Sequence, residues 1–346
     1  MSCMNNVFQI KDTEIFQSKN VCCSSIKDEV GVIFWEITFV MIIFFLLVLL
    51  AGQLHASSDI KGPLTPDFQA WLTANGYSSY DFIRADYGTQ GSYGGKSDDA
   101  PNVVNSPVVF IHGNSDAALH QSSSVTGWTN SIQYFLTQGY TSAELYATSW
   151  QDTNALNAQK RTHDCKDLVR LRKFLEAVLA YTGASKISVV SHSMGVTLAR
   201  EIIKGGQISA KDGKCDLGLP LNKKVEVVVP HWRKLKENGL WPGDSCGLNY
   251  LDCGMYPLVW PCSGVNYASY LMKLNSDKTK EGDYVFSMWS LSDNLIDYGT
   301  MVWGRSTCLI PTSNGKVTVP AYTHMQTKEL TYKDQYQMVK FKTIPY

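Results

Sequence analysis

The stretch from Lys186 to Arg200, K-I-S-V-V-S-H-S-M-G-V-T-L-A-R, constrains the fold of this chain more than any other part of its sequence. Its β-branched apolar run predicts a buried strand, and apolar residues at helical spacing from Met194 onward predict a helix. The turn between them places Ser193 between small residues, Ser191 and Gly195. Strained strand-to-helix turns of the form G-x-S-x-G expose a serine hydroxyl and tolerate little bulk on either side. We therefore predict a nucleophilic serine here and not an ordinary serine-rich turn, with Ser191 in place of the first glycine.

Apolar runs and helical patterns alternate along the rest of the chain. Alternation of this kind is typical of a mostly parallel sheet with helices on its faces, so the predicted fold class is α/β. We expect strands at 108–111, 144–148, 187–190, 225–229, 284–289 and 316–319, and helices at 66–75, 127–136, 164–182, 194–203 and 331–342.

The strand at 108–111 runs directly into the turn His112-Gly113-Asn114. Open α/β sheets collect their functional groups at the carboxyl ends of the strands. A turn at this position supplies one oxyanion donor in α/β-hydrolases, and the residue after the nucleophile supplies the other. We therefore expect the backbone N–H groups of Asn114 and Met194 to bind an oxyanion. His112 is expected to be a buried hydrogen-bonding residue.

An acid and a histidine follow two later strands. Asp293 comes just after the strand at 284–289, and His324 follows the last strand, so the order Ser…Asp…His is that of an α/β-hydrolase triad. His324 would act as the base of Ser193, and Asp293 would orient its imidazole. Asp297 is an alternative acid, further from the strand end. His192 is a weaker candidate for the base, because we expect its side chain to point away from the base position.

These residues resemble the class 2 lipases, a family of secreted α/β-hydrolases related to small bacterial lipases. The resemblance covers the chain from about Gly62 to its C-terminus. It implies hydrolysis of carboxylic esters, in particular lipid acyl esters, without a metal or an organic cofactor. Brief contact with a lipid interface is also expected. The matching motifs are P-V-V-F-I-H-G-N (107–114), S-H-S-M-G-V-T-L-A-R (191–200), S-x-x-D (290–293) and T-H-M (323–325).

One segment departs from the family pattern. After the strand at 225–229 such lipases continue with a loop rich in Gly, Ala and Asn, whereas this chain reads P-H-W-R-K-L-K at 230–236. Bulky and basic side chains resist burial in an acyl pocket, and Pro230 favours a turn away from the strand. We expect weaker hydrolysis of long-chain esters. The alternative is a catalytically impaired protein of this fold that binds lipid or a protein partner, and action on thioesters or amides stays open.

The N-terminal part contains the one long apolar run of the chain, the 15 residues from Ile37 to Ala51. This length suits the apolar core of a signal peptide better than a membrane span. We expect cleavage after Ala56, which divides the chain into a leader at 1–56 and a hydrolase domain at 57–346. Met41 is a possible start, in which case residues 1–40 are not translated. A signal anchor spanning 31–51 is the alternative.

Cysteine content and charge agree with an exported protein that acts on small molecules. Six cysteines follow the apolar run, and in an exported chain they suggest disulfide bonds, some within a Cys-rich excursion at 239–265. The 31 basic and 31 acidic residues balance, so the charge pattern argues against nucleic-acid binding. The oligomeric state is not predicted.

Overall fold

The computed structural model describes residues 60–231, 269–294, 301–302, 305–306 and 309–345. They belong to one compact unit, Asp59–Tyr346. Residues 1–59, the Cys-rich excursion at 239–265 and the alternative acid Asp297 lie outside the described residues.

Capping residues mark the ends of several helices. The Thr65 hydroxyl accepts a hydrogen bond from the Phe68 amide at the start of the first helix, and Gly183 ends the longest one in the left-handed conformation, with φ 66°. Within the described ranges, no helix is both long and apolar enough to cross a bilayer. The helices there are α1 (Pro66–Ala74), α2 (Thr129–Thr137), α3 (Cys165–Thr182), α4 (Met194–Lys204), α5 (Ser269–Ser276), α6 (His324–Glu329) and α7 (Tyr332–Phe341).

The strands form one large sheet and two short hairpins. Their bounds are β1 (Ser92–Tyr93), β2 (Val108–Ile111), β3 (Leu145–Thr148), β4 (Ile187–His192), β5 (Gln207–Ala210), β6 (Gly213–Asp216), β7 (Val225–His231), β8 (Tyr284–Ser290), β9 (Met301–Val302), β10 (Arg305–Ser306) and β11 (Gly315–Val319). The large sheet has the order β1-β3-β2-β4-β7-β8-β11. Only β1 is antiparallel to its neighbour, so the sheet is mostly parallel, as predicted.

Helices cover both faces of this sheet, because its central strands are apolar on both sides. In β2, Val109 and Ile111 join the buried cluster that includes residues of α1, α3 and α4. Val108 and Phe110 join the other cluster, with residues of α2 and α7. The predicted α/β-hydrolase architecture is confirmed in this part of the chain.

The strand β7 is longer than predicted. It continues through Pro230 to His231, and these two residues pair with Ser191 and His192 of β4. The prediction that Pro230 turns the chain away from the strand is therefore wrong. The flanking strands hold the chain in an extended conformation, which the fixed φ of proline permits. Residues 232–236, the rest of the atypical segment, are not among the described residues.

Several elements escaped prediction because their sequences are short or polar. The hairpin of β5 and β6 lies largely at the surface, and α6 has only six residues. A disulfide bond joins Cys165 at the start of α3 to Cys215 in β6. One of the expected disulfides is thus present, and it fastens the hairpin to the helix that precedes the elbow strand.

Candidate active site

Ser193 occupies the turn between β4 and α4 in a strained backbone conformation, with φ 56° and ψ −128°. A non-glycine residue with positive φ costs free energy and persists only where its surroundings enforce it. The Ser193 amide donates a hydrogen bond to the His231 carbonyl at the end of β7, 2.9 Å away. The turn therefore has the geometry predicted for a nucleophile elbow.

Two glycines let the neighbouring backbone approach this turn. A Cβ atom on Gly195 would lie 2.3 Å from the His112 carbonyl oxygen, and one on Gly113 would lie 2.7 Å from the Ser193 Cβ. Neither distance is possible for a real side chain, so both positions require glycine. Ser191, two positions before Ser193, is fully buried.

His324 and Asp293 meet behind the elbow. His324 is the first residue of α6, which begins with a capping box formed by Thr323 and Gln326. Its Nδ1 lies 2.9 Å from Asp293 Oδ2, and both side chains are buried. Because an ionised carboxylate only accepts, this contact assigns the proton to Nδ1 and the lone pair to Nε2. The His324 amide also donates to Asn294 Oδ1.

Ser193 and His324 share a cavity of about 340 Å³ with the turn after β2. Its wall is mainly small or polar, and Asp293 supports His324 from outside the lining. Of the predicted site residues, the cavity thus brings Ser193, His324 and Asn114 together. The lining residues are Gly113, Asn114, Ser115, Asp116, Ser124, Val125, Thr153, Asn154, Ala155, Ala158, His192, Ser193, His324 and Met325.

Two backbone amides near Ser193 are candidates for binding an oxyanion. Met194 is the first residue of α4, where an amide has no intrahelical acceptor and the helix dipole favours negative charge. Asn114 lines the cavity on the other side of the elbow. These two positions agree with the pair that the sequence predicts, and their role stays a prediction.

His192 differs from the prediction. Its ring does not point away from the base position: the ring centroids of His192 and His324 are 4.4 Å apart. His192 Nε2 lies 3.2 Å from the His324 carbonyl oxygen and donates to it. Burial and the neighbouring His324 hold the pKa of His192 well below its ordinary value, so the ring is neutral. His192 therefore packs against the candidate base instead of replacing it.

His112 is a structural residue, as predicted. It is fully buried and stacks on Trp150, with ring centroids 5.3 Å apart. Its Nε2 accepts from the Trp150 amide, which places the proton on Nδ1, facing the Gly113 carbonyl. Burial lowers its pKa to about 4.

A buried ion pair beside the cavity was not predicted. The Lys328 ammonium donates to Asp116 Oδ2 at 2.6 Å, to Thr126 Oγ1 and to the Gly127 carbonyl. Burial alone would raise the pKa of Asp116, but the charges of Lys328 and His112 and the hydrogen bonds from Lys328 and the Gly127 amide together lower that pKa. The pair joins the helix of His324 to the loop after β2. No sequence pattern links residues that far apart in the chain.

The comparisons with known proteins fit this description. A sequence-family model described as Lipase (class 2) matches residues 105–337, about two thirds of the chain. The fold and the elbow are those of an α/β-hydrolase. More particularly, this chain belongs to the class 2 lipase family, and membership supports carboxylic-ester hydrolysis as the class of activity.

Solved structures show a more distant likeness. Lipase B of Aspergillus fumigatus is 12% identical with a TM-score of 0.39, over 68% of this chain and 52% of that one. This chain thus spans about half the length of the fungal protein. An esterase of Pyrococcus furiosus is 15% identical with a TM-score of 0.40, over 72% of this chain and 90% of that one. An acylaminoacyl peptidase of Pyrococcus horikoshii is 13% identical with a TM-score of 0.42, over 74% and 39%.

The described residues contain no group of three or more His, Cys, Asp or Glu side chains arranged to hold a metal ion. That the reaction needs neither a metal nor an organic cofactor stays a prediction.

Proposed function

We propose that this protein hydrolyses carboxylic esters with Ser193 as nucleophile, His324 as general acid–base and Asp293 as the residue that orients His324. The observation that carries this proposal is the 2.9 Å contact between His324 Nδ1 and Asp293 Oδ2, at the same cavity as the strained turn of Ser193. A buried carboxylate at Nδ1 keeps the lone pair on Nε2 and stabilises the imidazolium that forms during the reaction.

In the proposed acylation step, the Ser193 hydroxyl passes its proton to His324 Nε2 as its oxygen attacks the ester carbonyl. The carbonyl oxygen becomes an oxyanion, which the amides of Asn114 and Met194 bind. The C–O bond to the alcohol then breaks, and His324 returns the proton to the departing oxygen. Water, deprotonated by His324, attacks the acyl-enzyme in the same way and releases the carboxylic acid.

Lipid acyl esters are the proposed substrates, because the chain belongs to the class 2 lipase family and keeps the motifs that carry Ser193, Asp293 and His324. We also propose that the protein is exported and touches lipid only briefly. The apolar run at 37–51 and the disulfide bond between Cys165 and Cys215 support this. N-terminal sequencing of secreted protein should find a start near Ser57. A cell-retained product that keeps residues 1–56 would support the signal anchor instead.

A fluorophosphonate probe tests the proposed nucleophile, because it labels only an activated serine. The wild-type protein should be labelled and should hydrolyse p-nitrophenyl esters, whereas Ser193→Ala should do neither. Ser78→Ala, an exposed serine in a short helical turn, is the matched control and should behave as wild type. A folded wild-type protein that is neither labelled nor active would favour the impaired, binding-only alternative.

A further inference from the structure

Arg161 is a buried arginine beside the cavity to which the proposed mechanism gives no role. Its side chain is only 2% exposed. It follows the short helical turn Ala155–Lys160 and precedes α3. Burying a guanidinium costs free energy unless its donors find partners, so its contacts indicate what it holds in place.

One set of contacts reaches the turn after β2. Arg161 Nη1 donates to Asn114 Oδ1 at 2.6 Å and to the Ser115 hydroxyl. Ser115 has a positive φ of 62°, a strained conformation for a residue with a side chain. Asn114 Nδ2 donates to the Ala158 carbonyl, which closes the network. Arg161 therefore contacts the turn that carries the proposed oxyanion donor.

The second set of contacts reaches another segment that lines the cavity. Arg161 Nη2 donates to Asp152 Oδ1 and, at 2.9 Å, to the Asn154 carbonyl. Thr153, Asn154, Ala155 and Ala158 from this segment, residues 152–158, line the cavity. One guanidinium thus connects two segments that line the cavity. Its planar, forked set of N–H donors can bind both segments at the same time.

We propose that Arg161 is a positioning residue that sets the direction of the Asn114 amide and holds segment 152–158 against that turn at the cavity. The inference rests on the proposed function. Without Arg161, the turn at Asn114 and Ser115 can relax from its strained conformation, and the Asn114 amide no longer points at the oxyanion. Segment 152–158 then keeps only the hydrogen bond from Asn114 Nδ2 to the Ala158 carbonyl as its link to that turn. The looser segment lets the cavity accept longer or bulkier acyl groups.

Variants at Arg161 test this through kcat, KM and acyl selectivity. Arg161→Met should lower kcat on a short-chain p-nitrophenyl ester by about 100-fold, the effect of losing one oxyanion donor. Its preference should move toward longer acyl chains. Arg161→Lys should recover part of kcat, because an ammonium can reach one wall but lacks the fork that holds both.

A matched control separates positioning from stability. Arg172 is another buried arginine, but it holds the Ile202 and Leu219 carbonyls and does not line the cavity. Arg172→Met should destabilise the fold while leaving kcat and acyl selectivity of the folded protein unchanged. An Arg161→Met protein whose kcat per folded molecule equals that of Arg172→Met would overturn the proposal.

A double-mutant cycle gives a second measurement if Arg161→Met folds poorly. Asn114→Ala keeps the backbone amide and removes only the side chain that Arg161 holds. It should therefore lower kcat much as Arg161→Lys does, and the two changes together should be less than additive. Full additivity contradicts the proposal.

Fluorophosphonate labelling keeps the two proposals apart. If the wild type is labelled and Arg161→Met is labelled more slowly, both proposals stand. Equal labelling rates for the two proteins would overturn only the role of Arg161. A folded wild type without labelling would overturn the proposed function itself.

Discussion

Ser193 has a backbone conformation that its own residue type disfavours, and its neighbours enforce it. A φ of 56° is costly for serine. The flanking strand and helix, the bond from its amide to the His231 carbonyl and the two glycines at closest approach outweigh that cost. The result is a serine at a cavity that the candidate base, His324, also lines.

Substitutions in the proposed triad should have graded effects. Ser193→Ala should lower kcat by about a million-fold with the fold intact, and His324→Ala should be comparably severe. Asp293→Asn should cost about 10⁴-fold, because it favours the wrong imidazole tautomer. Ester hydrolysis by purified variants measures this. If Asp297→Asn is the more damaging acid substitution, the triad acid is Asp297.

Substitution of His192 should lower kcat less than substitution of His324, but more than substitution of a residue outside the site. His192→Ala removes a hydrogen bond to the His324 carbonyl and the ring packed against the imidazole. A net loss of about 1 kcal/mol in positioning corresponds to roughly a fivefold lower kcat. The pH–rate profile should keep its shape, since the base is unchanged. A loss as large as that of His324→Ala would make His192 the base.

At the scale of elements, the placement of α6 decides where His324 lies. The helix has only six residues, too few to be stable alone. Its far end is held by Lys328, whose ammonium donates to Asp116 and to the Gly127 carbonyl. The carboxylate of Asp116 also accepts from the Gly127 amide. This network attaches the base-bearing helix to the loop that leads away from Asn114.

Breaking this ion pair from one side should be costly. Lys328→Met leaves the Asp116 carboxylate buried without its partner, and the free energy of unfolding should fall by about 3–5 kcal/mol. The double variant Lys328→Met with Asp116→Asn should recover part of that loss, since the fully buried carboxylate is removed. Glu329, which also pairs with Lys328 at 3.0 Å, keeps its hydrogen bonds from Thr126 and Asn130. Lys340→Met, an exposed lysine on α7, is the control. Urea denaturation measures the free energy of unfolding of the three variants. A decrease below about 1 kcal/mol for Lys328→Met would contradict the expected stabilising role of the ion pair.

At the scale of the whole molecule, several histidines are buried in their neutral form. Burial lowers the pKa of His112 to about 4 and that of His231 to about 3. His231 is fully buried at the end of β7, with Nδ1 3.2 Å from the Ser191 carbonyl oxygen and Nε2 3.2 Å from Thr331 Oγ1. It links the elbow strand to the residue before α7.

These histidines should make the fold sensitive to acid. Their pKa values are lower in the folded state, so their contribution to stability is complete above pH 6.5. It is lost as the pH falls toward 4 for His112 and toward 3 for His231. Each should cost about 2 kcal/mol of unfolding free energy between pH 6.5 and pH 5. Urea denaturation at several pH values measures this.

Two histidine-to-glutamine variants test whether His231 causes this pH dependence of stability. His231→Gln removes one titrating group from the unfolded chain, so the slope of stability against pH should fall by about 1.4 kcal/mol per unit. His120→Gln, a substitution of an exposed histidine, is the matched control. Equal slopes for wild type and His231→Gln would mean that His231 is protonated in the folded protein.

Local sequence patterns determined most of the elements and the elbow. Apolar periodicity, capping residues and the steric demands of a tight turn act over a few neighbouring residues, so they can be read from the chain directly. The strand–turn–helix of Ser193 and the order Ser193, Asp293, His324 follow from such patterns. The path of β7 through Pro230 did not follow from them, because pairing with β4 and β8 outweighed the local preference of proline.

Tertiary structure alone decided the polar contacts around the site. Arg161 meets Asn114, Lys328 meets Asp116, and His192 meets His324 across 47, 212 and 132 positions of the chain. Such pairs depend on which loops the sheet order brings to one edge, and their residue types carry no periodic signal. The candidate nucleophile could therefore be predicted from the sequence. The residues that hold its cavity in shape became identifiable only when the sheet had placed them side by side.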